Sequence, residues 1–247
     1  MRATHEAKQH RQNAFLTLTY SDEHLPTTGS VSKRDLQLAI KKIRTAIYPT
    51  KISYMACGEY GDQLGRPHYH MLLFGYDFVD KKLHTKQNDI PLYTSQELEN
   101  YWPWGHSLIG EVTYQSAAYV ARYTMKKVNG DQAEEHYKKV NTTTGEIHEI
   151  EPEFLIASRN PAVGLRWLNK YHRDLEKGYL TVNGKKRGIP KYYEKKYPDF
   201  NEYQATMLKA ERKQSYDPLD PELAGDRLRV KEIVKASQIE RLTRSLK

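Results

Sequence analysis

The sequence predicts an α+β domain with helices laid on an antiparallel sheet, and two observations carry that reading. Short β-rich segments at 14–20, 51–59, 67–75 and 106–114 are interrupted by helical patterns at 32–48 and 115–128. Three of those strands follow one another without a long helix between them, which suits antiparallel neighbours rather than βαβ crossovers.

The elements follow in chain order. Residues 14–20 (AFLTLTY) alternate, with Phe15 opposing Leu16 and Leu18. After the loop DEHLPTTGS, Ser32 and Asp35 form an N-cap region, and Leu36, Ile40, Ile43 and Ile47 recur at spacings of 4, 3 and 4 until Pro49 closes the helix. KISYMACGE (51–59) and PHYHMLLFG (67–75) read as strands joined by the Gly-rich turn YGDQLGR. Residues 95–102 make a short helix at best, 106–114 a fourth strand, and QSAAYVARYTMKKV a helix ended by Asn129-Gly130. The polar stretch NGDQAEEHYKKVNTTTGE is a loop or excursion, and no repeat or low-complexity run occurs.

Composition narrows the function. The 247 residues suit one domain with an appendage. Leu, Ile, Val and Phe make up only about a fifth of them, near the floor for a globular chain, and 19 Tyr fill part of the deficit. A net charge of +8 and a pI near 9.2 favour a polyanionic partner. The single Cys57 excludes an internal disulfide framework and fits a reducing compartment. No run approaches the length of a membrane span and residues 1–13 lack a signal-peptide core, so an intracellular protein without a membrane partner is expected.

The charge is local. Residues 159–200 hold 11 Lys/Arg against 4 Asp/Glu, interleaved with Trp167, Tyr171, Tyr179, Tyr192, Tyr193, Tyr197 and Phe200. Cations for phosphates and rings for stacked bases suit a single-strand-tracking surface, with Lys185, Lys186 and Arg187 as its basic cluster. A solvated basic surface over core aromatics gives the same composition. The expected division is 1–200 for the functional domain with this tract, and 201–247 for a C-terminal helical extension.

Two motifs carry chemistry. In His68-Tyr69-His70 the two imidazoles share one face of a strand and Tyr69 points to the other. Ten histidines give about 0.4 such spacings by chance, so the pair alone is also consistent with structural histidines. Glu59, ending the preceding strand across the turn from His68, can complete a divalent-metal site, with Glu111 as the reserve ligand. The second motif is Tyr119-x-x-x-Tyr123-x-x-Lys126. Such Tyr pairs arise about 1.4 times by chance, and Tyr193/Tyr197 is another. With Ala117 at zero on a helical wheel, Ala121, Thr124 and Val128 lie within about 40°, while Tyr119, Tyr123 and Lys126 fall at roughly 200°, 240° and 180°. The tyrosines are thus expected to face away from the apolar stripe, presented for a task.

Together the motifs specify tyrosine attack on a metal-held phosphodiester, giving a 5′-phosphotyrosine and a free 3′-hydroxyl. Two tyrosines one helical turn apart allow a second cut while the first end is still attached, as rolling-circle replication requires.

FLTLTY (15–20), GRPHYHMLLFG (65–75) and YVARYTMKK (119–127) stand in the order of the three motifs of HUH replication initiators. The chain most resembles the replication proteins of microviruses, especially gokushoviruses, and SRNPAVGLRWLNKY (158–171) and NGKKRGIPKYYEKKY (183–197) extend the resemblance over about 14–197. It departs from that group ahead of the first strand, where relatives carry a Cys-containing segment.

The resemblance implies a five-stranded antiparallel sheet of RRM- or palm-like shape, with the His pair on a central strand and the tyrosine helix beside it. It implies His68 and His70 as metal ligands, Mg²⁺ or Mn²⁺ as cofactor, Tyr119 and Tyr123 as nucleophiles and Lys126 as the motif lysine. Glu59 as third ligand rests on strand order. Arg66, Arg122 and Lys127, flanking the motifs, join the basic cluster as expected DNA contacts. No G-x-x-x-x-G-K-[ST] occurs, so unwinding is expected to fall to a host helicase, with a host polymerase copying the single-stranded origin DNA in the bacterial cytoplasm. Two other readings remain: a transposase or relaxase with the same chemistry, and an RRM-like module that binds single strands without cutting.

Overall fold

A computed structural model describes residues 1–61, 64–87, 89–122, 127–140, 145–182 and 184–240. In order, its elements are α1 (Arg2–Ala7), β1 (Asn13–Tyr20), α2 (Lys33–Ala46), β2 (Ser53–Tyr60), β3 (Pro67–Phe74), β4 (Lys82–Gln87), β5 (Ile90–Thr94), α3 (Gln96–Tyr101), β6 (Gly105–Gly110) and α4 (Tyr114–Arg122). These are followed by α5 (Gln132–His136), β7 (Lys138–Val140), β8 (Ile147–Glu149), β9 (Phe154–Ala157), α6 (Leu165–Tyr171), β10 (Leu180–Val182), β11 (Lys185–Arg187), α7 (Lys191–Lys196), α8 (Glu202–Gln214) and α9 (Gly225–Glu240).

The architecture is α+β, and the main sheet is antiparallel with the order β4-β5-β6-β1-β3-β2-β9. Seven strands replace the expected five. The four central strands are those the alternation marks. The additions lie at the edges: β4 (KLHTKQ) is exposed along its whole length and has no apolar period to read, β5 contains Pro91, and β9 has four residues.

One face of the sheet carries the core. Leu16, Leu18, Tyr20, Tyr69, Met71 and Leu73 point into it and meet Leu36, Ile40 and Ile43 of α2, with Trp102 and Ile109 alongside. The expected α2 forms, with Ser32 at its N-cap accepting from the Asp35 N–H. Tyr69 points away from its flanking histidines, and its hydroxyl accepts the Ser32 N–H at 2.6 Å, locking α2 onto the sheet. The other face carries Thr17, Thr19, Glu59, His68 and His70, with α1 and α4 packed on that part of the sheet.

By its contacts the chain forms two compact units, Met1–Arg166 and Trp167–Lys247. The division falls inside the 159–200 tract. In the second unit Trp167 stacks on Tyr193 with ring centroids 5.4 Å apart, and Trp167, Tyr193 and Tyr197 are buried. Those three rings are core residues, which corrects the expectation that the whole aromatic set is a stacking surface for bases. Tyr171, Tyr179 and Tyr192 are half-buried and Phe200 is exposed. Among the described residues, no helix is long and apolar enough to cross a membrane.

Candidate metal and nucleophile site

Strand register builds the site. In the β2–β3 ladder Glu59 stands opposite His68 and Cys57 opposite His70; in the β1–β3 ladder Thr19 stands opposite His68 and Thr17 opposite His70. Directly opposed residues share a face, so Glu59 and both imidazoles project together. One glycine helps: a side chain at Gly58 would meet the Phe154 ring at 2.7 Å, so its absence lets β9 close against β2 beside Glu59.

The three donors converge. Glu59 Oε1 lies 2.7 Å from His68 Nε2 and 3.0 Å from His70 Nε2, and one ligand atom from each residue falls within 4.8 Å of the others. Among the described residues this is the one His/Cys/Asp/Glu group able to hold a metal ion. Glu111, the reserve ligand, is exposed beyond β6 and outside the cluster.

Partners of the other ring nitrogens set the donor chemistry. His68 Nδ1 donates to the Arg66 carbonyl at 3.1 Å, which in the neutral ring leaves the lone pair on Nε2, facing the carboxylate. A lone pair and a carboxylate oxygen at 2.7 Å need a proton or a cation between them. Thr17 Oγ1 lies 3.1 Å from His70 Nδ1 in the same supporting position. Burial raises the Glu59 carboxyl, but hydrogen bonds from His68 and His70 outweigh it and hold the group below the usual carboxylate range. The donor set of two imidazoles and a buried carboxylate therefore fits a divalent ion.

Tyr119 reaches this cluster. Its hydroxyl lies 3.4 Å from Glu59 Oε1 and 3.3 Å from His70 Nε2. Its ring packs edge-on against His70, with centroids 4.9 Å apart, and against Phe15, which itself stacks on His70. The helical wheel is corrected here. The buried residues of α4 are Ser116, Ala117, Tyr119 and Val120, whereas Ala121 is exposed. Tyr119 lies on the packed face because its apolar ring fills space against Phe15 while its polar tip serves the triad.

Other expected site residues are dispersed. Tyr123 and Lys126 lie outside the described residues. Arg66 is tied to the 21–24 loop, pairing with Asp22 and donating to the Tyr20 carbonyl at 3.1 Å. The Arg122 guanidinium lies 5.9 Å from the Tyr119 ring centroid, and Lys127 is exposed. Lys185, Lys186 and Arg187 form exposed β11 in the second unit, where Lys186 Nζ sits 4.5 Å from the Tyr179 ring centroid. Thr17 and Phe15 are contributions that motif reading misses; their place two and four residues before Thr19 on an alternating strand is the signal that they share its face.

Residues 13–128 match the family model of replication-associated protein ORF2. The chain is 34% identical over 208 residues to replication-associated protein VP4 of Bdellovibrio phage phiMH2K, covering 80% of this chain and 61% of that protein. It is 33% identical over 210 residues to replication-associated protein ORF2 of Spiroplasma virus 4, covering 79% and 61%, and 29% identical over 206 residues to replication-associated protein ORF4 of Chlamydia phage 1, covering 78% and 48%. The chain thus spans about half to three fifths of the length of these curated relatives. No solved structure matches it. By its matching segment and these relatives, the chain belongs to the microvirus-type replication-associated proteins of phages.

Proposed function

We propose that this protein is a replication initiator that nicks single-stranded origin DNA through a tyrosine and rejoins the ends in rolling-circle replication. The observation that carries the reading is Tyr119: its hydroxyl lies within 3.4 Å of two members of a carboxylate–imidazole triad. In this reading Glu59, His68 and His70 hold Mg²⁺ or Mn²⁺. When bound, the ion neutralises the nonbridging oxygens of the scissile phosphate and orients it for in-line attack.

The protein's own groups do the rest. Tyr119 Oη attacks phosphorus, the bond from phosphorus to the 3′ oxygen breaks, and the phenolic proton is balanced by protonation of the released 3′-hydroxyl. The product is a 5′-phosphotyrosine, and attack by a 3′-hydroxyl on that ester reverses the step and regenerates the phenol. Tyr123 serves as the second nucleophile and Lys126 as the motif lysine. Arg66, Arg122, Lys127, Lys185, Lys186 and Arg187 hold the strand's phosphates. Residues 1–200 act together as the endonuclease domain, 201–247 are its helical extension, and a host helicase and polymerase work with it in the bacterial cytoplasm.

The test is to incubate the protein with labelled single-stranded origin DNA and Mn²⁺ and look for a covalent protein–DNA band. His68→Ala, His70→Ala and Glu59→Ala should abolish the band while retaining most single-strand affinity. Cutting at the wild-type rate by either histidine variant would remove the metal assignment, and the absence of any adduct with wild-type protein would favour the binding-module reading.

A further inference from the structure

Residues 130–153, polar and reading as a loop, fold into α5 followed by the β7–β8 hairpin. The hairpin has little reason to be ordered by itself. It has two three-residue strands, and its facing pair Val140 and Ile147 is exposed. An isolated two-stranded ribbon is marginal in water, so contacts elsewhere must hold it.

Those contacts converge on the ends of the two site motifs. Tyr137 is buried; its hydroxyl accepts the Val128 N–H at 3.0 Å and donates to Glu153 Oε2 at 2.7 Å. Val128 is two residues past Lys126, so this bond fixes the chain where it leaves the tyrosine motif. Burial together with the Glu153 carboxylate pushes the Tyr137 phenol up to about 12, which keeps it protonated and able to make both bonds.

The same segment grips the metal strands. Lys139 Nζ donates to the Gly65 carbonyl at 3.0 Å in the β2–β3 turn and lies 4.8 Å from the Tyr60 ring centroid. Gly65 has φ +58, and a side chain there would come within 3.3 Å of Lys139 Nζ. Tyr60, the neighbour of Glu59, donates to the Glu151 carbonyl at 2.6 Å and accepts the Val31 N–H at 3.1 Å.

We propose that residues 130–153 are a clasp that registers the C-terminal end of the tyrosine motif against the metal-bearing strands, with Tyr137 as its positioning residue. The inference rests on the nicking reading above. Tyr119 is already fixed by its own packing on Phe15 and His70, whereas Tyr123 lies nearer in sequence to the end the clasp holds. Loosening the clasp should therefore cost Tyr123 more than Tyr119.

The experiment uses two backgrounds of the full chain with labelled single-stranded origin DNA and Mn²⁺: Tyr119→Phe, which reports Tyr123 alone, and Tyr123→Phe, which reports Tyr119 alone. Adding Tyr137→Phe should slow adduct formation on Tyr123 about tenfold and on Tyr119 no more than about twofold, a split that general loss of stability would not produce. Should Tyr137→Phe lose cooperative unfolding, Glu153→Ala, which keeps the ring and removes only the acceptor of its hydroxyl, should give the same split. Equal slowing in both backgrounds, or none in either, overturns the clasp and leaves the nicking reading standing. Absence of adduct in the parent protein overturns both.

Discussion

Thr17 Oγ1 lies 3.1 Å from His70 Nδ1 because the β1–β3 register sets the two residues directly opposite one another. The contact fixes the ring so that Nε2 faces Glu59 and Tyr119. Partners of this kind around metal-binding histidines are typically worth about 10–100-fold in affinity. Thr17→Val keeps the shape and the β-branch but removes the hydroxyl. Mn²⁺ titration by calorimetry should show binding weakened by about tenfold or more, with the unfolding midpoint little changed. Unaltered Mn²⁺ affinity would mean that packing on Phe15 alone orients His70.

A second buried carboxylate lies outside the candidate site and governs acid stability. Burial raises the Glu6 carboxyl, but the hydrogen bonds from His10 and the Gly164 N–H, with the Arg166 guanidinium, outweigh it and bring its pKa to about 2. A group depressed on folding stabilises the protein fully above its unfolded pKa, near 4.5, and loses that contribution as pH falls toward 2. Glu6→Gln should cost on the order of 3 kcal/mol at pH 7 and flatten the decline in stability between about pH 4.5 and 2. Denaturant melts at about pH 7 and pH 3 measure both; parallel acid limbs for the two proteins would rule out Glu6 as the group responsible.

The basic cluster should hold backbone and not read bases. Lys185, Lys186 and Arg187 are exposed on a short hairpin, and the buried rings nearby belong to the core of their own unit. Replacing the three by Gln should weaken single-strand binding about equally for every sequence. The log–log salt slope should flatten by up to about 0.7 for each phosphate that is no longer neutralised. Binding measured between low and moderate salt with an unchanged slope would place these cations outside the DNA path.

Much of the fold and the site is legible in the residues, for identifiable reasons. Alternation in β1 and β3 and the 4-3-4 spacing of α2 are periods that burial imposes directly, and they locate the central sheet and its core helix. The triad is legible because an H-x-H on one strand and an acid at the end of its hairpin partner are placed by ladder geometry. β4 and the clasp hairpin are not, since strands exposed on both faces leave no hydrophobic period. A helical wheel that counts Tyr119 as polar turns α4 the wrong way: a ring that buries its body and uses only its tip belongs to the packed face. The same amphipathic character makes Trp167, Tyr193 and Tyr197 core residues in a tract whose composition suggests a binding surface.

The sharpest prediction concerns the tyrosines. Tyr119 sits against the triad on packing that does not depend on its hydroxyl, since its ring contacts Phe15 and His70. Tyr119→Phe therefore keeps the fold and removes only the candidate nucleophilic oxygen. Tyr119→Phe and Tyr123→Phe should each retain single cleavage, with the adduct on the remaining tyrosine, and both should fail in a coupled cut-and-rejoin assay that releases a circle. The double variant should form no adduct. Tyr193 and Tyr197 repeat the same spacing but are buried in the second unit, so Tyr193→Phe with Tyr197→Phe should leave adduct formation unaffected. Peptide mapping of the adduct decides the matter: a crosslink on Tyr193 or Tyr197 would move the site, and an active Tyr119→Phe/Tyr123→Phe double variant would end the tyrosine mechanism.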